Sequence, residues 1–153
     1  MDAGTGAVRG PLADTLGREL RGVISAYLFG SVAEGRAHGD SDVDVGILLD
    51  RAVYPRAADR FDVRLRCVGL LGAAVGRETD VVILNDAPPQ LARHILAGDR
   101  LLLNDAAVDH AFRRTMMSRA ADLELDRVVE ALDRLEVIER FVANERRIES
   151  ATD

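Results

Sequence analysis

The chain has 153 residues, 48% of them hydrophobic, which is enough for one domain with its own core. Twenty basic residues, all arginine, stand against 26 acidic ones, and the net charge of −6 argues against a general nucleic-acid-binding surface. The single cysteine, Cys67, excludes an intramolecular disulfide, and no apolar run reaches the roughly 18 residues of a membrane span. The N-terminus lacks the charged start and apolar stretch of a signal peptide, which predicts a cytoplasmic protein.

The N-terminal part predicts a helix followed by two strands. Residues 1–10 are small and glycine-rich, and we expect them to be loose. Leu12, Leu16 and Leu20 recur every four residues, which predicts an amphipathic helix from Pro11 onwards. The elements expected next are a strand over Val23–Phe29, a short helix over residues 31–35, a polar connector over residues 37–40 and a strand over Val43–Leu49.

The middle of the chain continues to alternate helices with strands. Pro55 begins a helical region that contains Cys67, expected to be a buried thiol, and Gly76 is its expected C-cap. Four apolar residues are predicted to share one face of this helix, with Leu70 and Leu71 widening it: Phe61, Leu65, Val68 and Val75. A strand over residues 79–84, a helix over residues 90–96 and a short strand over residues 100–103 are expected to follow. This alternation predicts an α/β fold.

The C-terminal part, from Ala106 to about residue 144, has a helical pattern with a broad apolar stripe. The stripe consists of Leu125, Val128, Leu132, Leu135, Ile138 and Val142. Its width predicts a partner surface in addition to a core element, and the alternative that it covers only the chain's own core stays open. The predicted organisation is a core over residues 11–104, a helical segment over 105–145 and a tail over 146–153.

Two short polar motifs flank the first two predicted strands. Gly30 and Ser31 end the first strand, and after ten intervening residues Asp42 and Asp44 open the second. Side chains two apart on a strand share a face, and two adjacent carboxylates repel each other unless a cation or a proton lies between them. Magnesium prefers oxygen ligands and often keeps substrate phosphate oxygens, while a Gly-Ser turn leaves backbone N–H groups open to phosphate. The spacing therefore predicts a phosphate cradle beside a metal site.

An EF-hand calcium loop is a poorer interpretation of the same aspartates. Counted from Asp40, the sixth and twelfth positions of such a loop are Val45 and Arg51, where glycine and glutamate are required. A third acid, Asp80, begins the predicted strand over residues 79–84 and is the only acid in that apolar run. Its alternative role is a strand-end residue that is satisfied by the backbone or by Arg77.

The pattern of Gly30-Ser31, ten residues, Asp42 and Asp44, and later Asp80 resembles the DNA polymerase beta-like nucleotidyltransferase superfamily. It is most similar to the minimal nucleotidyltransferases, the MntA-like antitoxins that are paired with HEPN toxins. The resemblance implies the nucleotidyltransferase fold, a small mixed β-sheet flanked by helices with a C-terminal helical segment. It also implies transfer of AMP from ATP to a tyrosine hydroxyl of a HEPN RNase toxin, with magnesium, two ions being expected.

The resemblance also implies roles for the motif residues. Asp42, Asp44 and Asp80 would be catalytic residues and metal ligands, and Asp80 would serve the attacking hydroxyl. Gly30 and Ser31 would hold the triphosphate. Ser41 either contacts phosphate or only caps the approach to Asp42. A basic residue often stands in the family where this chain has Glu34; Arg36 could replace it in nucleotide binding or be solvated surface.

Two other function classes stay open. One is a small-molecule nucleotidyltransferase of the aminoglycoside type, and the other is an antitoxin that masks its toxin by binding without catalysis. The predicted core leaves little room for a small-molecule acceptor domain, which favours a protein acceptor. Expected partners are therefore a HEPN-family toxin and ATP, with no membrane and no direct nucleic-acid binding.

Overall fold

The computed structural model describes the backbone of residues 3–36 and 41–152 and the side chains of residues 6–36 and 41–151. The predicted connector at residues 37–40 therefore lies outside the described residues. The elements are α1 (Ala3–Glu19), β1 (Val23–Phe29), α2 (Gly30–Ala33), β2 (Val43–Leu49), α3 (Ala57–Val75), β3 (Thr79–Ile83), a 3-10 turn (Leu84–Asp86), α4 (Pro89–Leu96), β4 (Asp99–Leu103) and α5 (Ala106–Thr152). Among the described helices, none is long and apolar enough to cross a membrane.

The four strands form one mixed sheet in the order β3-β2-β1-β4. β1 pairs antiparallel with β2 and β4, whereas β2 and β3 pair in parallel. A parallel pair needs a crossover, which α3 supplies between β2 and β3. The predicted small mixed sheet is confirmed. β1 ends at the same end of the sheet at which β2 and β3 begin. The three sequence motifs therefore lie together at that end of the strands.

Both faces of the sheet are covered by helices. One face packs on α1 and α3, where the buried residues include Leu12, Leu16, Val45, Ile47 and Leu71. The other face packs on α4 and the first turns of α5, where they include Tyr27, Leu48, Ile95 and Met116. Alternate residues of each strand therefore belong to different faces, and the second face is the one that carries the motif side chains.

The loose N-terminus expected for residues 1–10 is wrong for residues 3–10, because α1 begins at Ala3 and contains Pro11 in its interior. Proline removes one helical hydrogen bond at that point, so tertiary contacts must stabilise the preceding turns. Val8 extends the four-residue repeat backwards and is buried in the core. Arg9 forms an ion pair with Asp99, with nitrogen and oxygen 3.3 Å apart, at the start of β4.

The predicted apolar face of α3 is wrong at Phe61 and Leu65 only, because Leu71 is buried and Val68 and Val75 pack against the core. Phe61 and Leu65 are 51% and 55% exposed, while the buried apolar residues of α3 are Val63, Cys67 and Leu71. Burial raises the pKa of the Cys67 thiol to about 11, which confirms the expected buried, unreactive cysteine. The orientation of the helix was predicted from its apolar residues alone, but its buried side also contains a charged residue.

That charged residue is Arg60, which is only 5% exposed. Its Nε and Nη2 donate to the two carboxylate oxygens of Asp86 at 2.9 and 2.8 Å, and its Nη1 donates to the carbonyl of Tyr54 at 3.0 Å. A bidentate carboxylate satisfies a guanidinium in a way that a sequence pattern does not reveal. Both carboxylate oxygens of Asp86 therefore accept hydrogen bonds from α3.

α5 is anchored near its start and continues further than expected. Asp109, 3% exposed, accepts hydrogen bonds from Ser25 Oγ at 2.6 Å and Tyr27 Oη at 2.5 Å on β1. Arg113 donates to Tyr27 Oη at 3.0 Å and to the carbonyl of Leu96 at 2.9 Å. Burial and the hydrogen bond to Asp109 raise the pKa of the Tyr27 phenol, so the group remains a neutral donor.

The chain divides after Met117 into two compact units, whereas the predicted boundary followed residue 104. The second unit is helical to Thr152, so α5 includes most of the residues predicted as the tail, 146–153. All described side chains from residue 121 to 151 are exposed. The residues of the apolar stripe all belong to this second unit.

Candidate active site

The first feature of the site is the turn at the end of β1. Gly30 follows Phe29 with a positive φ of 76°, a backbone conformation that side chains disfavour. A Cβ at Gly30 would also overlap the carboxylate of Asp44, so glycine is required for two independent reasons. Ser31 follows at the start of the four-residue α2 and is half-buried. The predicted Gly30-Ser31 turn thus lies directly against the second motif.

The second feature is a group of three aspartates at the beginning of β2 and β3. Asp44 is in register with Phe29 of β1 on one side and with Asp80 of β3 on the other. Residues paired across strands point to the same face, so the Asp44 and Asp80 carboxylates lie side by side. Asp42 stands just before β2 and is exposed. We call Asp42, Asp44 and Asp80 the acid row.

The electrostatics of the acid row show at Asp44, the middle carboxylate. Partial burial raises the pKa of the Asp44 carboxyl, and the negative charges of Asp80 and then Asp42 raise it further. Within the part of the chain that the structure describes, no three acidic, histidine or cysteine side chains converge closely enough to hold a metal ion unaided. Magnesium commonly takes one or two carboxylates and completes its shell with water and phosphate oxygens, so the acid row fits that ion.

Asp80 has a partner that the sequence did not predict. Arg64 of α3 places Nη2 3.7 Å from Asp80 Oδ1 and donates from Nε to the carbonyl of Val81 at 2.7 Å. The sequence-based alternative had assigned Arg77 to Asp80, but Arg77 donates to the backbone carbonyl of Ser41. Arg64 could not be found from the sequence because it lies sixteen positions before Asp80 and reaches that residue only through the packing of α3 on β3.

The remaining predicted binding residues, Ser41 and Arg36, lie near the same end of the strands. Ser41 is half-buried just before Asp42. Arg36 is exposed, and its Nε donates to Glu34 Oε2 at 3.0 Å. A small cleft of about 150 Å³ lies beside Gly30 and is lined by Glu34 and His94 among others. Arg36 is therefore paired with Glu34, and His94 of α4 lies close to Gly30.

Comparison with known proteins identifies the family. The family model described as "Polymerase beta, Nucleotidyltransferase" matches residues 13–107, which include Gly30 and the acid row. The chain belongs to the polymerase beta nucleotidyltransferase family. The matched region ends where α5 begins, so most of α5 lies outside it.

Individual relatives of this nucleotidyltransferase point in the same direction. The protein adenylyltransferase MntA of Shewanella oneidensis is 28% identical over 103 residues, which are 66% of this chain and 68% of MntA. A toxin–antitoxin crystal structure with AMP-PNP superposes with a TM-score of 0.66 at 23% identity, over 82% of this chain and 96% of its own. A complex of a tri-AMPylated Shewanella oneidensis HEPN toxin with its MNT antitoxin gives a TM-score of 0.62 at 20% identity, over 84% and 97%. These superpositions confirm the predicted fold.

Proposed function

We propose that this nucleotidyltransferase is an antitoxin that transfers AMP from ATP, with magnesium, to a tyrosine hydroxyl of a HEPN-family toxin and so neutralises it. The observation that carries the proposal is the placement of Gly30 against Asp44 and of Asp44 beside Asp80. A phosphate cradle and paired carboxylates at one edge of the sheet are what nucleotidyl transfer requires. The similarity to MntA, a protein adenylyltransferase, supports AMP as the transferred group and a protein as the acceptor.

Each residue of the site has a part in this reaction. The backbone at Gly30 and Ser31 would hold the β- and γ-phosphates, with Ser41 and Arg36 as further nucleotide contacts. Asp42 and Asp44 would hold the metal ions, two being expected, and Asp80 would complete that site. When bound, magnesium neutralises phosphate charge and lowers the pKa of the attacking hydroxyl.

The bonds change at the α-phosphorus of ATP. A bond forms between the acceptor oxygen and that phosphorus, while the bond to the pyrophosphate oxygen breaks. Asp80 accepts the hydroxyl proton, and pyrophosphate leaves with the electron pair of the broken bond. Arg64, whose Nη2 lies 3.7 Å from Asp80 Oδ1, helps to orient that carboxylate before the acceptor arrives.

The second unit of the chain supplies a surface for the protein partner. Large apolar side chains of α5 are exposed along its length, among them Leu125, Leu132, Leu135, Ile138 and Phe141. Exposed apolar patches of this extent mark protein interfaces. HEPN toxins are themselves helical, so helix-on-helix packing is the proposed mode. This surface also favours a second candidate function, an antitoxin that masks the toxin by binding alone.

Reconstitution with a cognate HEPN-family toxin separates these two functions. Wild-type chain, ATP and magnesium should add AMP to the toxin, detected by mass spectrometry, and should abolish its RNase activity. Asp42→Asn or Asp44→Asn should abolish transfer, because each removes a metal ligand, whereas Asp14→Asn, an exposed carboxylate on α1, should have no effect. Toxin neutralisation by Asp44→Asn at the wild-type level would instead establish masking without catalysis.

The metal requirement has its own measurement. Because the carboxylates of the acid row repel one another, ATP should bind with measurable affinity only when a divalent cation is present. Isothermal titration calorimetry with magnesium and with EDTA compares the two states. Equal ATP affinity in EDTA would show that the acid row does not hold a metal.

A further inference from the structure

A groove of about 690 Å³ runs along the outer edge of the sheet, next to the acid row. One wall is the start of α3 and the other is the 3-10 turn with the start of α4, while β3 forms the floor. Its lining is mostly apolar and includes Ala58, Phe61, Val82, Ile83, Pro88 and Leu91. The volume lies within the range of about 300–1,000 Å³ that is typical of ligand sites.

The floor of the groove is an unpaired strand edge. β3 is the outermost strand and pairs only with β2 in the described sheet. Arg64 covers one outward carbonyl, that of Val81. Proteins usually shield such edges with charge, proline or a covering element, because a free edge is a template for another extended chain. Here charged side chains such as Arg64 and Asp80 line part of the edge, but it is also flanked by Phe61, 51% exposed, and Leu91, 36% exposed.

The groove opens onto the acid row at Asp80, its member on β3. Asp80 lines the groove, and its carboxylate is more than half exposed. Gly30 lies on the opposite side of Asp44. In phosphoryl and nucleotidyl transfer the attacking and leaving oxygens are roughly in line, so pyrophosphate held at Gly30 requires an acceptor that arrives from the Asp80 side. The groove is the cavity on that side.

We propose that this groove binds the acceptor segment of the partner protein as an extended peptide and presents its tyrosine hydroxyl to Asp80. The proposal rests on the proposed function and adds the site where the acceptor is recognised. Backbone hydrogen bonds to the β3 edge would supply affinity, and the apolar walls would select neighbouring side chains. The Arg64 guanidinium, which lies 6.0 Å from the centre of the Phe61 ring, provides a cation for the face of the incoming tyrosine.

Two variants test the groove, with a matched control on the same helix. Phe61→Ala and Leu91→Asp alter opposite walls, whereas Leu65→Ala removes a similarly exposed apolar side chain of α3 that does not line the groove. All three residues are exposed, so the fold should be retained. We expect kcat/KM for the toxin acceptor to fall about 10-fold or more in each groove variant, with ATP affinity and the Leu65→Ala rates unchanged.

A photo-crosslinker identifies the occupant directly. Benzoylphenylalanine in place of Phe61 should crosslink to the toxin segment that carries the modified tyrosine, while the same group in place of Leu65 should not. Crosslinking to another part of the toxin would overturn the assignment, as would no crosslink to the toxin at all. The rate of AMP transfer by the wild type distinguishes a failure of the proposed function from a failure of the groove assignment. No AMP transfer by the wild type would overturn the proposed function, whereas equal transfer by wild type and both groove variants would overturn only the groove.

Discussion

The two halves of α5 lie in opposite environments although they belong to one continuous helix. Before residue 118, Asp109 and Arg113 form a polar network with Ser25 and Tyr27 that fixes the helix to β1. From residue 121 onwards every described side chain is exposed, including all the large apolar ones. Buried polar contacts thus mark the half that belongs to the nucleotidyltransferase core, and exposed apolar ones mark the half that does not.

Under the proposed function, the first half of α5 belongs to the part that carries the chemistry and the second half to the part that recognises the partner. The second half of α5 has only weak internal stabilisation, from pairs such as Glu130–Arg134 and Glu136–Arg140, which are worth about 0.3–0.5 kcal/mol each. Isolated helices are marginally stable in water, and most helical stability in proteins comes from the packing of an apolar face. A partner that covers the stripe would supply that packing. The core carries the acid row and needs no such cover.

The largest expected effect concerns the chemistry of the core. Asp80→Asn should lower turnover by about 10²–10⁴-fold, the usual contribution of a general base, while ATP binding changes little. Partner capture through α5 should stay at the wild-type level, which would confirm that the two halves act separately. Single-turnover kinetics and calorimetry measure these quantities. A variant that loses only ATP affinity would make Asp80 a nucleotide ligand instead.

Sequence reasoning located the core of this site for a physical reason. Gly30, Asp44 and Asp80 lie at strand ends, where local spacing and strand period determine position, and the sheet brings those ends to one edge. Arg64 and the Arg60–Asp86 pair were not predicted, because each depends on how α3 packs on β3. The environment of the α5 stripe was left undecided for a similar reason. Periodicity shows that a face is apolar but not what covers it.

The next effect concerns recognition. Truncation after Arg119 should leave a folded core that binds ATP normally, because the first compact unit ends at Met117. Toxin capture should weaken by about 10-fold or more, since the exposed stripe is lost. Size-exclusion chromatography, calorimetry and pull-down measure the three properties. An insoluble truncated chain would show that the helix supports the core, and unchanged capture would place the interface elsewhere.

A finer version of this test keeps the helix. Leu132→Asp with Leu135→Asp should reduce toxin capture, whereas Glu130→Ala on the polar side should not. Both positions 132 and 135 are more than half exposed, so neither substitution creates a buried charge. Circular dichroism of the variants checks that helix content is kept. Equal capture by both variants would contradict the assignment of the stripe as the interface.

A smaller effect is expected on the free energy of unfolding, which should depend on the first half of α5 more than on the second. Asp109→Ala leaves the buried hydroxyls of Ser25 and Tyr27 without their acceptor and should cost about 1–3 kcal/mol of unfolding free energy. Asp122→Ala, in the exposed half of the same helix, should stay within about 0.5 kcal/mol of wild type. Urea unfolding followed by circular dichroism gives both values. Equal losses would mean that Asp109 does not anchor the helix.

The smallest effect is a pH dependence that belongs to the core alone. The hydrogen-bonded guanidinium of Arg60 holds the pKa of the Asp86 carboxyl below its ordinary value. A lowered folded-state pKa contributes stability that is complete above the unfolded value of about 3.9 and is lost as the pH falls through the folded value. Because Asp86 is partly exposed, Asp86→Asn should cost only about 1 kcal/mol at neutral pH, and its difference from wild type should shrink in acid. Glu130→Gln, which breaks a fully exposed pair in the second half of α5, should show no such pH-dependent difference in melting temperature. A difference for Asp86→Asn that grew in acid would mean that the Arg60 pairing does not stabilise the charged form of this carboxylate.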